Sequence, residues 1–169
     1  MRIMDRLASR LFDRRIDALV RATVAAELAE RGVDEEGLLY RYLVHGDRAR
    51  LHIDPTAVVN DALFNLSSGE ITVGPYAFFG HGVAVLTGTH DITKFGRERQ
   101  TSIPKSGRDV VIGEGAWLAS HVLVLGPCVI GPGAVVGAGS LVTHDVEPYA
   151  VVVGRPAKEI RRLDPPTSG

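Results

Sequence analysis

The chain has 169 residues, enough for one domain with a real core, and its 45% apolar and 23% charged residues are ordinary for a globular protein. A net charge of −1 argues against a chain built mainly to bind nucleic acid, and no apolar run approaches the ~18 residues that cross a bilayer. The one cysteine, Cys128, allows no intrachain disulfide and suits a reducing compartment.

Taken in chain order, residues 1–45 read as amphipathic helices. Ile3, Leu7 and Leu11, then Ile16, Leu19, Val20, Val24 and Leu28, recur at helical spacing, with a break near Gly32 and Asp34 as a cap for a second helix. Arg2, Arg6, Arg10 and Arg14 form a stripe on the opposite side. These helices are expected to cover the open end of a repetitive coil formed by the rest of the chain. A weak contact with an anionic membrane surface is the competing reading, and Asp5, Asp13 and Asp17 dilute it. Charges run through the first fifteen residues, so no secretory leader is read there and a cytoplasmic protein is expected.

From residue 46 to 163 the pattern changes. Stepping by six from Ile112 gives Leu118, Val124, Ile130, Val136 and Val142, all aliphatic. Stepping by six from Ala116 gives Val122, Cys128, Ala134, Ser140 and Val146, all small or medium. Upstream, Val73, Phe79 and Val85 extend the first track and Ala77, Val83 and Thr89 the second, with Ile53 and Val59, Ala57 and Leu63 before them. A period of six fits neither a helix nor a simple strand; it fits short strands joined by sharp turns, the signature of a parallel β-helix. The run VIGPGAVVGAGSLV (129–142) therefore turns corners and does not cradle a phosphate, since it carries neither phosphate-loop pattern. Glycine suits such corners because it tolerates positive φ. Cys128, on the inward track, reads as a buried hydrophobe and not a nucleophile. The pattern stops over residues 88–109, a polar and charged loop.

A rigid coil carries its chemistry on outward side chains and on whatever interrupts it. Of six histidines, His45, His52, His81, His121 and His144 read as surface, corner or capping residues. His90 opens the long loop, and an imidazole, which titrates near ~6.5, can take a proton at neutral pH. His90 is thus the candidate general base, with Asp91, Glu98 or a backbone carbonyl as the group that orients it.

Four stretches carry a family resemblance: FNL (64–66), ITVGPYAFFGHGVAVLTGTH (71–90), VVIGEGAWLASHVLVLGPCVIGPGAVVGAGSLVTHDV (110–146) and VVVGRPAKEIRRL (151–163). Together they resemble the hexapeptide-repeat acyltransferases, in the branch of maltose, galactoside and nodulation-factor O-acetyltransferases. The repeat predicts an all-β protein, a parallel β-helix of about five coils with an N-terminal α-helical segment and one extended loop, and the resemblance, which does not extend to the N-terminal forty residues, implies that the coil is left-handed. The same resemblance implies a homotrimer with acetyl-CoA, or another acyl-CoA, bound between subunits, and transfer to a hydroxyl of a sugar or saccharide without a metal. On that resemblance His90 is the base and Asn65 touches the acceptor. Trp117, Ser120 and the backbone at Ala138 line the donor groove, and Thr143, Lys158 and Arg161 meet the CoA phosphates. The family lysine of the VTKD segment is His144 here, a loss that Arg155 or Arg162 is placed to offset. N-acylation of a nucleotide-linked amino sugar and a non-catalytic scaffold share this architecture. So does a γ-type carbonic anhydrase, but His81, His90 and His121 lack its H-x-x-x-x-H spacing.

Overall fold

Aliphatics at every sixth place wind the chain into three parallel sheets. The computed structural model describes residues 42–165, with six helical residues before them at 16, 19, 20, 22, 23 and 26. The chain divides into units 1–40 and 41–169. Of the first unit, Ile16, Leu19 and Val20 are helical and exposed. Ile3, Leu7, Leu11, Val24, Leu28, the arginine stripe, Gly32 and Asp34 lie outside the described residues. Among the described residues no helix is long and apolar enough to cross a membrane.

The first sheet stacks β1 (Leu43–His45), β3 (Leu63–Asn65), β6 (Ala84–Leu86), β9 (Leu123–Leu125) and β12 (Leu141–Val142). The second stacks β2 (Leu51–Ile53), β4 (Ile71–Val73), β7 (Val110–Ile112) and β10 (Cys128–Ile130), extended by a bridge from Ile130 to Val146. The third stacks β5 (Phe78–Phe79), β8 (Trp117–Leu118), β11 (Val135–Val136) and β13 (Ala150–Gly154), edged by β14 (Ala157–Arg162). Every pairing is parallel except that of β13 with β14. Five strands on the first sheet mean five coils, the expected number.

Register explains the period. Cys128 pairs with Val110, Val135 with Trp117 and Leu141 with Leu123, so these coils advance by three hexapeptides. Val44, Phe64, Val85, Val124 and Val142 stand in one inward column of the first sheet. All five are buried except the first, which packs against the core from its edge. Each fully buried aliphatic contributes about 1.5–3 kcal/mol of transfer free energy, and no long-range charge pairing is needed to hold the column.

Two positions depart from the six-residue count. Leu63 is 37% exposed, and Ala62 and Phe64 point inward instead. The turn before β3 is one residue short, so the track runs from Ala57 to Ala62. Thr89 is only half-buried because the loop begins there; the inward place opposite Cys128 passes to Val110. The glycines also divide into two kinds. Gly115 and Gly133 take positive φ (64° at each) at corners, as expected. Gly131 serves differently: a Cβ there would come within 2.5 Å of the Pro148 nitrogen in the next coil, so it is there for close stacking.

Cys128 is buried within the second sheet, and burial pushes its thiol up to about 11, with the Asp145 carboxylate adding to the rise. It stays protonated near neutrality and serves as core. Its raised value stabilises the fold fully below the ordinary pKa of 9.0 and less and less as pH climbs toward about 11. That gap corresponds to about 3 kcal/mol. Denaturant midpoints of the wild type and Cys128→Ala, compared at about pH 8 and about pH 11, are expected to converge at the higher pH. A constant gap would remove the thiol from the balance.

Candidate active site

The long loop leaves the coil after β6 and returns at β7, at the corner between the first and second sheets. Its neck is tied by buried polar groups, which are scarce in this core: only Ser68, Thr87 and Ser140 among the described residues. The Thr87 hydroxyl donates to the Asn65 carbonyl at 2.8 Å and accepts from the Ser68 N–H at 3.2 Å. The Ser68 hydroxyl accepts from the Thr89 N–H at 3.4 Å. On the returning side Arg108 Nε donates to the Thr87 carbonyl at 2.9 Å, and Arg50 bridges the carbonyls of Leu66 and Lys105 at 3.0 Å each. The residues just before His90 are therefore fixed although the loop itself is exposed.

Asn65 ends β3 at the same corner, and its Oδ1 accepts from the Ser67 N–H at 3.0 Å. Gly88 passes so close that a Cβ there would lie 2.6 Å from that oxygen. Asn65 and the approach to His90 are thus brought together at one corner.

His90 is exposed, and its Nδ1 lies 3.0 Å from the Arg99 carbonyl. A carbonyl only accepts, so the proton of the neutral ring sits on Nδ1, and Nε2 keeps its lone pair for a substrate proton. Of the three orienting groups considered for His90, the backbone carbonyl is the one in contact. Asp91 is occupied by the Thr93 hydroxyl (2.7 Å) and N–H (2.9 Å), which hold its carboxyl below the usual range. Glu98 pairs with Lys94 at 2.7 Å.

The other expected site residues lie on the third sheet and the corner leading from it to the first. Trp117 is 42% exposed and stacks on Phe78, with ring centroids 5.6 Å apart and planes 14° apart. The Ser120 hydroxyl accepts from the His81 N–H at 3.2 Å, and the Ser120 carbonyl accepts from Gly139, next to the exposed Ala138. Arg155 follows β13, with Nη1 3.5 Å from the Gly139 carbonyl. Lys158 and Arg161 stand exposed on β14, without an ion pair among the described residues, while Arg162 is held by Glu159 at 2.8 Å. Trp117 and Phe78 thus present an aromatic face on the third sheet, and Arg155, Lys158 and Arg161 present three cations at and after its far strands, β13 and β14.

Thr143 sits apart from this set. It follows β12 at the first–second corner, and its hydroxyl meets His144 Nδ1 at 2.8 Å. The shallow pocket there also holds Asp145, Glu147 and Glu159, carboxylates that oppose a phosphate. Among the described residues no group of three His, Cys, Asp or Glu side chains could hold a metal ion. His81 instead faces Asp61 at 3.2 Å, and the ring of His121 covers Gly82.

Sequence reading missed Phe78, the Ser68–Thr87 pair and Arg99. Phe78 was legible as the outward neighbour of the inward Phe79. The Arg99 carbonyl leaves no trace in a pattern of side chains.

Residues 109–144 match the family model for the bacterial transferase hexapeptide, six repeats. A serine acetyltransferase of Arabidopsis thaliana is 38% identical over 68% of this chain and 33% of its own length. A Staphylococcus aureus relative is 37% identical over 63% of this chain and 52% of its own. The chain thus spans a third to a half of these relatives. A maltose O-acetyltransferase from Clostridium difficile 630 superposes with a TM-score of 0.61 and 26% identity, covering 74% of this chain and 68% of that one. A hexapeptide-repeat acetyltransferase of Vibrio cholerae, complexed with acetyl coenzyme A, shares the fold at a TM-score of 0.54 and 23% identity over 89% of this chain and 90% of that one. These likenesses give the coil its hand: it is a left-handed parallel β-helix, the fold of the acetyltransferases that it resembles.

Proposed function

We infer that this hexapeptide-repeat chain transfers an acetyl group from acetyl-CoA, or another acyl-CoA, to a hydroxyl of a sugar or saccharide, with His90 as general base. The observation that carries the reading is the His90 imidazole, exposed at a rigid loop neck, with Nδ1 held by a carbonyl and Nε2 left to accept. A sugar hydroxyl is a poor nucleophile until its proton begins to leave. Nε2 takes that proton while the hydroxyl oxygen attacks the thioester carbonyl. The C–S bond then breaks, the sulfur takes the proton from the imidazolium, and an ester and free CoA result. Backbone N–H groups on the coil edge are the natural donors to the tetrahedral oxyanion. No covalent enzyme intermediate is needed, in keeping with a buried, protonated Cys128.

The donor groove is placed between subunits of a homotrimer. His90 and Asn65 lie at the first–second corner of the coil, whereas Trp117, Ser120, Ala138 and Arg155 follow the third sheet and the third–first corner. One chain does not fold these two edges together, but two copies packed side by side bring them face to face. On this reading Asn65 meets the acceptor, Lys158, Arg161 and Arg155 meet the donor's phosphates, and Thr143 contributes least.

The test is an acceptor screen with acetyl-CoA over mono- and oligosaccharides, following free thiol. Acceptor-dependent thiol release is expected, and acetyl-CoA should raise the melting temperature, because a ligand that binds only the folded state stabilises it. Neither thiol release nor a thermal shift with any acyl-CoA would favour a non-catalytic coil.

A further inference from the structure

We propose that Arg99 is a positioning residue: its guanidinium folds the loop back on itself so that its own carbonyl fixes the proton of His90 on Nδ1. The proposal rests on the reading of His90 as base and adds how the loop keeps that base in one tautomer.

The loop carries one short helix, α1 (Gly96–Thr101), whose six residues are too few to be stable alone. The last four carbonyls of any helix lack an intrahelical partner. In α1 the Glu98 carbonyl is taken by the Ser102 N–H at 2.9 Å, and the Arg99 carbonyl is taken by His90 Nδ1 at 3.0 Å. A helix end thus supplies the acceptor, and one main-chain bond, between Asp91 and the cap residue Ser102, holds that end near His90. The Arg99 side chain adds the ties that set the turn between them. Its Nε donates to the Lys94 carbonyl at 2.6 Å and its Nη2 to the Ile92 carbonyl at 3.2 Å. Its Cζ lies 4.9 Å from the centre of the Phe95 ring. The turn just after His90 is tied to the helix whose carbonyl reaches back to His90. The closed ring runs from His90 through the Asp91–Lys94 turn to Arg99, and the Asp91 N–H closes it again on the Ser102 carbonyl at 3.0 Å.

Only arginine fits both tasks. A planar fork can span two carbonyls while its face lies on an aromatic ring, and a lysine ammonium supplies a point charge without that geometry. Phe95 is 78% exposed, so its contact with Arg99 is not a by-product of core packing.

The experiment uses the full-length protein and two variants, Arg99→Ala and Arg99→Lys. ¹⁵N spectra of the His90 imidazole report the tautomer directly and need no turnover. The wild type should show the proton on Nδ1, Arg99→Ala a mixture with a growing Nε2–H fraction, and Arg99→Lys an intermediate. Steady-state kinetics should show kcat falling roughly tenfold in Arg99→Ala with the KM for acetyl-CoA nearly unchanged, the mark of a group that does not bind the donor. An unchanged tautomer in Arg99→Ala overturns the proposal. So does a loss confined to KM, which would make Arg99 a substrate contact. Should the tautomer shift while His90→Ala remains active, the positioning role stands and the base assignment falls.

Discussion

Replacing His90 with alanine lowers acyl-transfer turnover about 10²–10⁴-fold, the usual worth of general-base assistance. The coil should remain folded, because His90 is exposed and its ring bonds to a carbonyl of the loop, not to the coil. The neck is held by Ser68, Thr87 and Arg108, all of which survive the change. The loss should fall on kcat with little effect on the KM for acetyl-CoA, since the donor groove is proposed for a different edge of the coil. Far-ultraviolet circular dichroism and the melting temperature of the variant separate chemistry from folding. Turnover near that of the wild type, in a folded variant, removes His90 from the mechanism and with it the choice of this corner as the reacting end.

How far the sequence reveals this arrangement depends on which physical cause writes each part. The coils are legible because one requirement, an apolar side chain pointing inward, recurs at every third of a turn. Ile112, Leu118, Val124, Ile130, Val136 and Val142 all satisfy it, each at most 1% exposed. The count slips at Leu63 and Thr89, where a turn loses a residue or a loop takes over, because a period carries no information about its own interruptions. Glycine identity is similarly ambiguous. Gly115 answers to its own φ and Gly131 to a neighbouring coil's backbone, and only the stacking of the coils separates the two. At the site, His90 stands out as a titratable side chain at the edge of a regular array. What orients it is a main-chain carbonyl, which every residue has. Asp91 is already disfavoured in sequence, because neighbours in an extended strand point to opposite sides, but Glu98 looks as apt as a carbonyl; their own partners, Thr93 and Lys94, occupy both carboxylates. Thr143 shows the same limit from the other side: its neighbours Asp145 and Glu147 are close in sequence, but Glu159 joins them only through the β13–β14 hairpin.

Mixing two inactive variants should restore activity. His90→Ala removes the base from the first–second corner. Ala138→Trp puts a large ring on an exposed position of the third–first corner, where the donor's arm is placed, and leaves the buried columns untouched. In a closed ring each boundary is heterologous, so one copy gives its first corner and the next gives its second. In a ring assembled from equal amounts of the two variants, about a quarter of the boundaries pair an intact His90 with an intact Ala138. Co-expressed or co-refolded variants should therefore recover about a quarter of wild-type turnover, while each alone stays near background. Recovery must also depend on subunit exchange: preformed assemblies mixed without dissociation should stay inactive. A site built within one chain would give no recovery at any ratio, because every chain then carries one of the two lesions. That outcome would leave the coil and its columns intact but would move the donor to the same corner as His90, among Thr143, Asp145 and Glu147, where the carboxylates make a polyphosphate hard to hold.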